Sequence, residues 1–480
     1  MTSKKERKMG QPMKKETANL LQTVSPVDGS VFVERAYHDW SQADAVLTKA
    51  KKAQKEWRKV PLAKRQEYML KFLDYMVSKA QEIGKEITWQ MGRPISQTPG
   101  EILRGFSERV KYAVELAPRA LADIVPHDVR DGFKRFIRRE PLGVVAVIAP
   151  WNYPYLTAVN AIVPALLAGN VVVLKHSFQT PLVGDRFAEG FKATGLPDGV
   201  FQHLDLSDAD TQKLAEDKRV DFVNFTGSVR VGHIVQKAVS NRFVVAGLEL
   251  GGKDPAYVRE DADMASAVEN LVDGAFFNSG QCCCGIERIY VHEKLYDKFV
   301  EDFVALTKTY KLGNPTDPNT NLGPMVRTAQ ADFVRGQIED AVKKGAKALV
   351  DESLFPASKK GTPYLAPQVL VNVDHSMGVM MEESFGPVVG IMKVKDDAEA
   401  VKMMNDSPYG LTVSIWTKDA DAAEKLGEEL ETGTVFLNRC DYVDPGLPWT
   451  GVKDTGRGAS MSVIGFENLT RPKSFHLKKA

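Results

Sequence analysis

The apolar positions follow two rhythms along the chain. Before residue 120 they recur at helical spacing. Ala45, Val46, Ala50, Ala53 and Trp57 lie mostly three and four apart, and similar patterns run near 62–83 and 99–120. Three helices are predicted there. From Gly143 the pattern turns to short, largely apolar runs at 144–149, 171–174, 221–225 and 243–246, separated by helical stretches. Runs of β-branched residues bounded by Gly or Pro read as strands buried on both faces, which means a parallel sheet covered by helices. Right-handed crossovers make such a sheet doubly wound. After residue 260 a second alternation predicts strands at 289–291, 388–392 and 412–416, with helices near 263–276, 294–308, 328–344 and 420–430. Gly132–Glu140 reads as an exposed strand apart from both regions. The expected fold class is α/β, with two α/β domains.

Ligands of doubly wound sheets bind beyond the C-terminal ends of the strands. Pro150-Trp151-Asn152, Lys175-His176-Ser177 and Thr226-Gly227-Ser228 all fall at such ends. Composition narrows the partners. The 480 residues carry 63 Lys+Arg against 62 Asp+Glu, a net charge of +1. No overall field favours nucleic acid or acidic membranes. The most apolar stretch, 144–174, is interrupted by Pro150, Asn152, Pro154, Asn160, Pro164 and Asn170. A membrane span needs about twenty residues without such breaks, so this is read as buried core. Three of the four cysteines are adjacent, which does not suit a disulfide framework and points to a reducing, cytoplasmic setting. Lys4, Lys5, Arg7, Lys8, Lys14 and Lys15, mixed with Glu6 and Glu16, read as a solvated tail; a mitochondrial presequence would favour Arg and Ser and few acids.

The dinucleotide fingerprint G-x-G-x-x-G follows none of the predicted strands. Phe225-Thr226-Gly227-Ser228 instead puts a glycine and a hydroxyl at a strand-to-helix junction, suited either to phosphate binding or to an ordinary helix cap. Gly247–Asp254 nearly matches a P-loop, but Asp254 stands where a hydroxyl would ligate Mg²⁺ and Glu249 would face the phosphates. No metal is expected: three consecutive cysteines do not easily surround one tetrahedral zinc, and no Cys-x-x-Cys pair is present. Cys282, Cys283 and Cys284 are either small buried hydrophobes or carry a nucleophile, since a thiolate is the strongest side-chain nucleophile near neutral pH.

Six segments occur in an order and spacing that resemble the aldehyde dehydrogenase superfamily. They are Pro150-Trp151-Asn152-Tyr153-Pro154, Phe225-Thr226-Gly227-Ser228, Leu248-Glu249-Leu250-Gly251-Gly252-Lys253, Phe277-x-x-Gly280-Gln281-x-Cys283, Glu382-Glu383-x-Phe385-Gly386-Pro387 and Pro448-x-x-Gly451-x-Lys453-x-x-Gly456. The resemblance spans roughly Val24 to Phe475. It implies two doubly wound α/β domains: a Rossmann-like NAD(P)-binding domain of residues 1–120 and 142–250, and a catalytic domain of residues 251–452. Residues 121–141 and 466–477 would form a small β arm joining copies into a homodimer or homotetramer.

The same resemblance implies oxidation of a small-molecule aldehyde to a carboxylic acid, with Cys283 as nucleophile. Asn152 and the Cys283 backbone N–H would stabilise the oxyanion. Glu249 would be the general base, with a pKa raised by burial. Ile148 and Trp151 would line the cofactor channel and Lys175 would bind the adenosine ribose. Gly227 and Ser228, after Phe225, would meet the pyrophosphate, and Glu383 with Phe385 the nicotinamide ribose. The alternative is a non-catalytic relative, which would more often have lost Cys283, Glu249 or Asn152. Phe178 stands where members that prefer NAD often carry Glu, so NAD is expected with NADP tolerated, helped by Lys175 and His176. Pro448-Trp449-Thr450-Gly451 departs from a common Phe-Gly-Gly and is expected to reshape the substrate loop. Tyr153, Thr157, Asn160, Phe277, Cys282, Cys284 and Cys440-Asp441-Tyr442 would line the substrate tunnel; no arginine stands out as a carboxylate clamp for a semialdehyde, and Arg104, Arg109 and Arg439 stay open as candidates.

Overall fold

The computed structural model describes residues 20–440 and 442–479. The Lys-rich tail and Asp441 lie outside the described residues. Two sheets organise the chain. The first has five parallel strands: β1 (Val144–Ala149), β2 (Val171–His176), β3 (Phe201–His203), β4 (Phe222–Thr226) and β5 (Val245–Glu249). Their spatial order is β5-β4-β1-β2-β3, and the short strand Gly456–Arg457 runs antiparallel outside β5. Every residue of β1 and β2 is buried, as helices on both faces require. The chain runs outward from β1 to β3, then returns to the other side of β1. That reversal opens a crevice between the C-terminal ends of β1 and β4.

The helices over this sheet are α1 (Trp40–Trp57), α2 (Leu62–Ser78), α3 (Ala80–Met91), α4 (Ser107–Ala120), α5 (Pro154–Leu167), α6 (Leu182–Ala193), α7 (Asp208–Glu216) and α8 (Val229–Val239). Asp39 and Gln42 close α1 with a capping box. The buried stripe of α1 is Ala43, Leu47, Ala50 and Trp57; Ala45, assigned to that face by spacing, is exposed. The helix predicted near 62–83 is two helices, broken where Lys79 leaves helical geometry (φ −101°, ψ 3°). The strand predicted at 243–246 starts two residues later, and Phe243 is exposed. There the chain is still turning, held by Arg242 donating to the carbonyls of Ala215, Asp217 and Val220.

The second sheet holds β6 (Asp254–Val258), β7 (Ile286–His292), β8 (Gln368–Val371), β9 (Val388–Val394), β10 (Thr412–Trp416) and β11 (Thr434–Leu437). They are parallel in the order β8-β9-β7-β6-β10-β11, with Lys347–Ala348 antiparallel beside β8. Strands β6, β8 and β11 are four or five residues long and escaped the pattern reading. Helices α9 (Met264–Phe276), α10 (Tyr296–Thr307), α11 (Thr328–Lys343) and α12 (Asp397–Asn405) belong to this half. Outside both sheets, Phe133–Pro141 pairs antiparallel with Thr470–Lys478, and Phe136 stacks on Phe475 with centroids 4.5 Å apart. Phe466 and Leu469, just before the second of these strands, join the core of the first sheet. Among the described residues no helix is long and apolar enough to cross a membrane.

Candidate active site

The cysteine triplet sits between α9 and β7, on the N-terminal side of the second sheet. Asn278, Ser279 and Gly280 turn the chain there with φ of 52°, 57° and 70°. Left-handed backbone in two non-glycine residues costs energy and persists only where neighbours enforce it. The Ser279 hydroxyl donates to the Gly323 carbonyl at 2.7 Å, and the Asn278 amide donates to the carbonyls of Asn152 and Gln281 at 3.2 Å. Gln281 Oε1 accepts the Val326 N–H at 2.7 Å. At Gly280 a Cβ would lie 2.3 Å from the Gly386 carbonyl oxygen, so only glycine fits. This turn holds Cys283 where two cavities meet. One is a cleft of about 760 Å³ that also takes in Trp151, Asn152, Gly227, Ser228, Glu383 and Phe385. The other is a tunnel of about 1160 Å³ lined by Tyr153, Asn160, Phe277, Cys282, Cys284 and Tyr442, among others. Thr157, Thr226, Glu249, Leu250 and Cys283 line both.

Asn152 follows β1 and Glu249 ends β5, so the strand ends of the first sheet bring both to the cysteine from the opposite side. Asn152 is buried, and its side-chain amide has no hydrogen-bond partner among the described residues. Glu249 accepts from the Thr226 hydroxyl at 3.1 Å, yet burial raises its carboxyl above the usual range. The three sulfurs lie within 4.8 Å of one another, so the geometric objection to their sharing a soft metal does not hold. Crowding also makes them titrate together. Hydrogen bonds from Cys283 and Cys284 hold Cys282 well below the usual thiol range and push the other two up. Ease of ionisation thus favours Cys282, and position favours Cys283. Only Cys283 of the three lines both cavities, so it alone can meet groups bound in each.

The cleft has the furniture a dinucleotide needs. Trp151 and Phe385 meet edge to face with centroids 5.7 Å apart. Phe385 itself has φ 50°, imposed by Glu287, whose carboxylate accepts the N–H groups of Ser384 and Phe385 at 2.8 and 2.9 Å. Glu383 accepts the Gly252 N–H at 3.1 Å, and burial pushes its carboxyl to about 8. A Cβ on Gly251 would lie 2.3 Å from Glu383 Oε2, so backbone fills this wall of the cleft. Gly227 is likewise required, because a Cβ would strike the Phe225 ring at 2.6 Å. Phe225 is buried beneath that glycine and is not among the residues lining the cleft. Ser228 caps α8 by accepting the Val231 N–H at 3.4 Å. Ile148 pairs in register with Lys175 on one side and Phe225 on the other. Lys175 is buried with no partner for its ammonium among the described residues, and burial lowers its pKa.

Several readings change. Lys253, of the P-loop-like stretch, is buried in an ion pair with Glu287 and donates to Ser384 at 2.9 Å, so it is not available to a phosphate. His176 cannot assist a 2′-phosphate. Burial lowers it to about 4, and its ring nitrogens face the Pro154 carbonyl and the Thr180 hydroxyl at 3.1 Å. In the tunnel the Thr157 hydroxyl donates to the Tyr153 carbonyl at 3.0 Å, whereas Asn160 Oδ1 is buried without a partner. Trp449 enters the tunnel, while the Cys440 sulfur turns away toward the Asn270 carbonyl at 3.4 Å. Glu101 escaped the sequence reading, and Arg109 was named there without being singled out. Glu101, paired with Arg93, reaches across to accept the first free N–H groups of α5, from Tyr155 at 2.8 Å and Leu156 at 3.2 Å, and so fixes the helix that follows Asn152. Arg109 lines the tunnel with a buried, unpartnered Nε, its Nη1 donating to the Gly105 carbonyl at 3.0 Å. Nothing in the sequence distinguishes that arginine from its neighbours on α4.

The aldehyde dehydrogenase family profile matches residues 13–475. The chain is 35% identical over 439 residues to the NADP-dependent glyceraldehyde-3-phosphate dehydrogenase of Streptococcus equinus, covering 90% of each. It is 31% identical over 454 residues to the NADP(+) succinate-semialdehyde dehydrogenase of Mycobacterium avium, covering 94% of this chain and 95% of that one. A crystal structure of indole-3-acetaldehyde dehydrogenase complexed with NAD+ superposes with a TM-score of 0.91 at 31% identity, over 98% of this chain and 95% of the other.

Proposed function

The chain belongs to the aldehyde dehydrogenase family and oxidises aldehydes with NAD or NADP, and we propose that it does so through Cys283, with Asn152 and Glu249 as its partners. One observation carries this reading: Cys283 and Glu249 line both the aromatic cleft and the tunnel, where a cofactor and an aldehyde would meet. The cofactor would be held by Trp151, Phe385, Glu383, Gly227, Ser228 and Lys175, with Ile148 behind them. When bound, it supplies the hydride acceptor.

The protein's part is positional and electrostatic. The Cys283 thiolate bonds to the aldehyde carbon, and the oxygen gains a negative charge. The unpartnered Asn152 amide and the Cys283 N–H donate to that oxyanion, a stabilisation that water would provide only after reorganising. Once the carbon is oxidised, a thioester remains on Cys283. Glu249 takes a proton from water, the water oxygen bonds to the acyl carbon, and the C–S bond breaks to release the acid. Burial of Glu249 makes it a stronger base than an exposed carboxylate. Aldehyde-dependent absorbance of the reduced nicotinamide tests the reading; a Cys283→Ala protein that still gives the signal would end it.

A second feature bears on the substrate. Arg109 favours an aldehyde that carries a negative charge, although Glu108, which accepts the Tyr442 hydroxyl at 2.6 Å, lines the same tunnel. Glyceraldehyde 3-phosphate and succinate semialdehyde, named for two relatives, are anionic aldehydes. Arg109→Met should then raise KM for a carboxylated aldehyde and leave an uncharged one of equal length nearly unaffected. We read residues 1–120 with 142–250 as the cofactor domain and 251–452 as the catalytic domain. Residues 121–141 with 466–477 are read as the arm that joins a dimer or tetramer, supported by a two-stranded ribbon whose outer edges carry, among the described residues, one bridge, between Ile124 and Ile137. Four free cysteines suit a cytoplasmic location.

A further inference from the structure

Phe178, three residues beyond Lys175, closes the C-terminal end of β2. It is not bare. The Arg327 guanidinium lies over its ring, 4.6 Å from the centroid. Arg327 comes from the other half of the molecule, immediately before α11, and Gln330, one turn further on, lines the cleft. Its guanidinium is held rather than trailing. Nε donates to Gln179 Oε1 at 3.0 Å, and Gln179 is itself locked by donating to the carbonyls of Gln90 at 2.6 Å and Val24 at 3.2 Å. The two terminal nitrogens have no hydrogen-bond partner and no ion-pair partner among the described residues. The Lys175 ammonium is likewise unpaired and buried. Asp208, which is exposed, is the carboxylate whose field reaches both cations.

A held arginine and a buried lysine at one strand end, within the field of Asp208 and, at the lysine, of Asp205, but ion-paired with neither among the described residues, make a site for an anion. A guanidinium fixed on an aromatic face keeps its fork aimed in one direction, which suits a phosphate better than a ribose hydroxyl. We propose that Arg327, stacked on Phe178 and acting with Lys175, receives the 2′-phosphate of NADP and makes NADP the preferred cofactor. The assignment rests on the cleft being the dinucleotide site, as above. It reverses the expectation of NAD with NADP only tolerated: the Phe178 ring supplies no hydrogen bond, but it is the platform that orders a donor. An NAD ribose, having no charge there, gains nothing from the pair of cations.

Binding of 2′,5′-ADP and of 5′-ADP to the full-length chain, followed by calorimetry without aldehyde or turnover, separates the possibilities. The wild type should bind 2′,5′-ADP at least tenfold more tightly. Arg327→Gln should cut that ratio to threefold or less while 5′-ADP binding stays within about twofold of wild type. Phe178→Glu should invert the ratio by setting a carboxylate beside the phosphate. Steady-state kinetics should follow, with KM for NADP rising in Arg327→Gln and kcat unchanged. Equal binding of the two nucleotides by the wild type overturns the inference and leaves the dinucleotide cleft intact. So does an Arg327→Gln protein that loses both in equal measure or neither. Failure of the wild type to bind either nucleotide removes the cleft assignment itself, and the inference with it.

Discussion

The two sheets differ in strand order but both are built on parallel strands with a reversal of order, and they use it in opposite ways. In the first, the C-terminal strand ends are left open. Asn152 and Lys175 carry polar groups with no partner among the described residues, and Thr226 and Glu249 face the cavities. In the second, the strand ends at β6, β9 and β10 are closed by a network. Arg259 grips Asp397 with two bonds of 3.0 Å and Thr417 at 2.9 Å, Tyr257 donates to Asp397 at 2.8 Å, and Thr417 donates to Asp261 at 2.8 Å. This half contributes its opposite side instead, the turn ahead of β7 that carries Cys283. A switch in strand order creates a crevice in each sheet. Whether the crevice becomes a site depends on whether its polar groups are already satisfied by the protein.

Substitutions can break or sharpen that contrast. The largest effect is expected at the cysteine turn. Cys283→Ala should abolish aldehyde-dependent reduction of the cofactor, and Cys282→Ala should retain a good part of it, although Cys282 is the more easily ionised thiol. Full activity in both variants would mean that neither sulfur is the nucleophile. Next come the open ends of the first sheet. Asn152→Ala should lower kcat by about 10²–10³-fold as a lost oxyanion donor. Glu249→Gln should lower steady turnover by about 10²–10⁴-fold as a lost base. In rapid mixing it should keep a first burst of reduced cofactor, because the thioester still forms. Since burial raises the Glu249 carboxyl, turnover in the wild type should fall as pH drops through a value above the ordinary carboxylate range.

A smaller effect concerns Glu383. Folding lifts its carboxyl from an ordinary 4.5 to about 8, so the folded chain holds a proton that the unfolded chain has released. Stability should therefore decline as pH rises from about 5 to 8 and level off above. Glu383→Gln, which imitates the protonated form, should flatten that decline by roughly 2–4 °C in Tm. A scan in which both proteins track each other from pH 5 to 9 would refute this. Smallest is the closed end of the second sheet. Asp397→Asn should cost about 1 kcal/mol of stability, modest because the pair is partly exposed, and leave kcat within twofold. A tenfold loss of kcat there would erase the distinction between open and closed strand ends.

Much of the first sheet was legible because burial on both faces leaves a plain record: unbroken β-branched runs punctuated by Gly and Pro. The breaks at Pro150, Lys175 and Thr226 mark the C-terminal ends of three of its strands. Legibility failed where short elements or distant partners decide. Strand β6 is five residues opening on Asp254, whose charge hides it; in the fold that carboxyl accepts the Thr412 hydroxyl at 2.6 Å, and burial raises its pKa well above the usual range. Gly251-Gly252-Lys253 resembled a phosphate loop because glycine pairs also mark close packing: here a Cβ on Gly252 would lie 2.8 Å from the Cys283 carbonyl oxygen. Glu101 carried no signal, since its partners on α5 lie more than fifty residues away.

The main strands of the first sheet and the family were written in local patterns, and the residues proposed as nucleophile, amide and carboxylate were named from motifs of the same kind, because each pattern is made of residues near one another in the chain. Which charges are cancelled was not. His176 and Arg327 read alike as cations on the page, yet one is buried neutral between a carbonyl and a hydroxyl, and the other lies on an aromatic ring with two nitrogens unpaired. Burial and pairing are properties of neighbours in space, and only the packed chain supplies those.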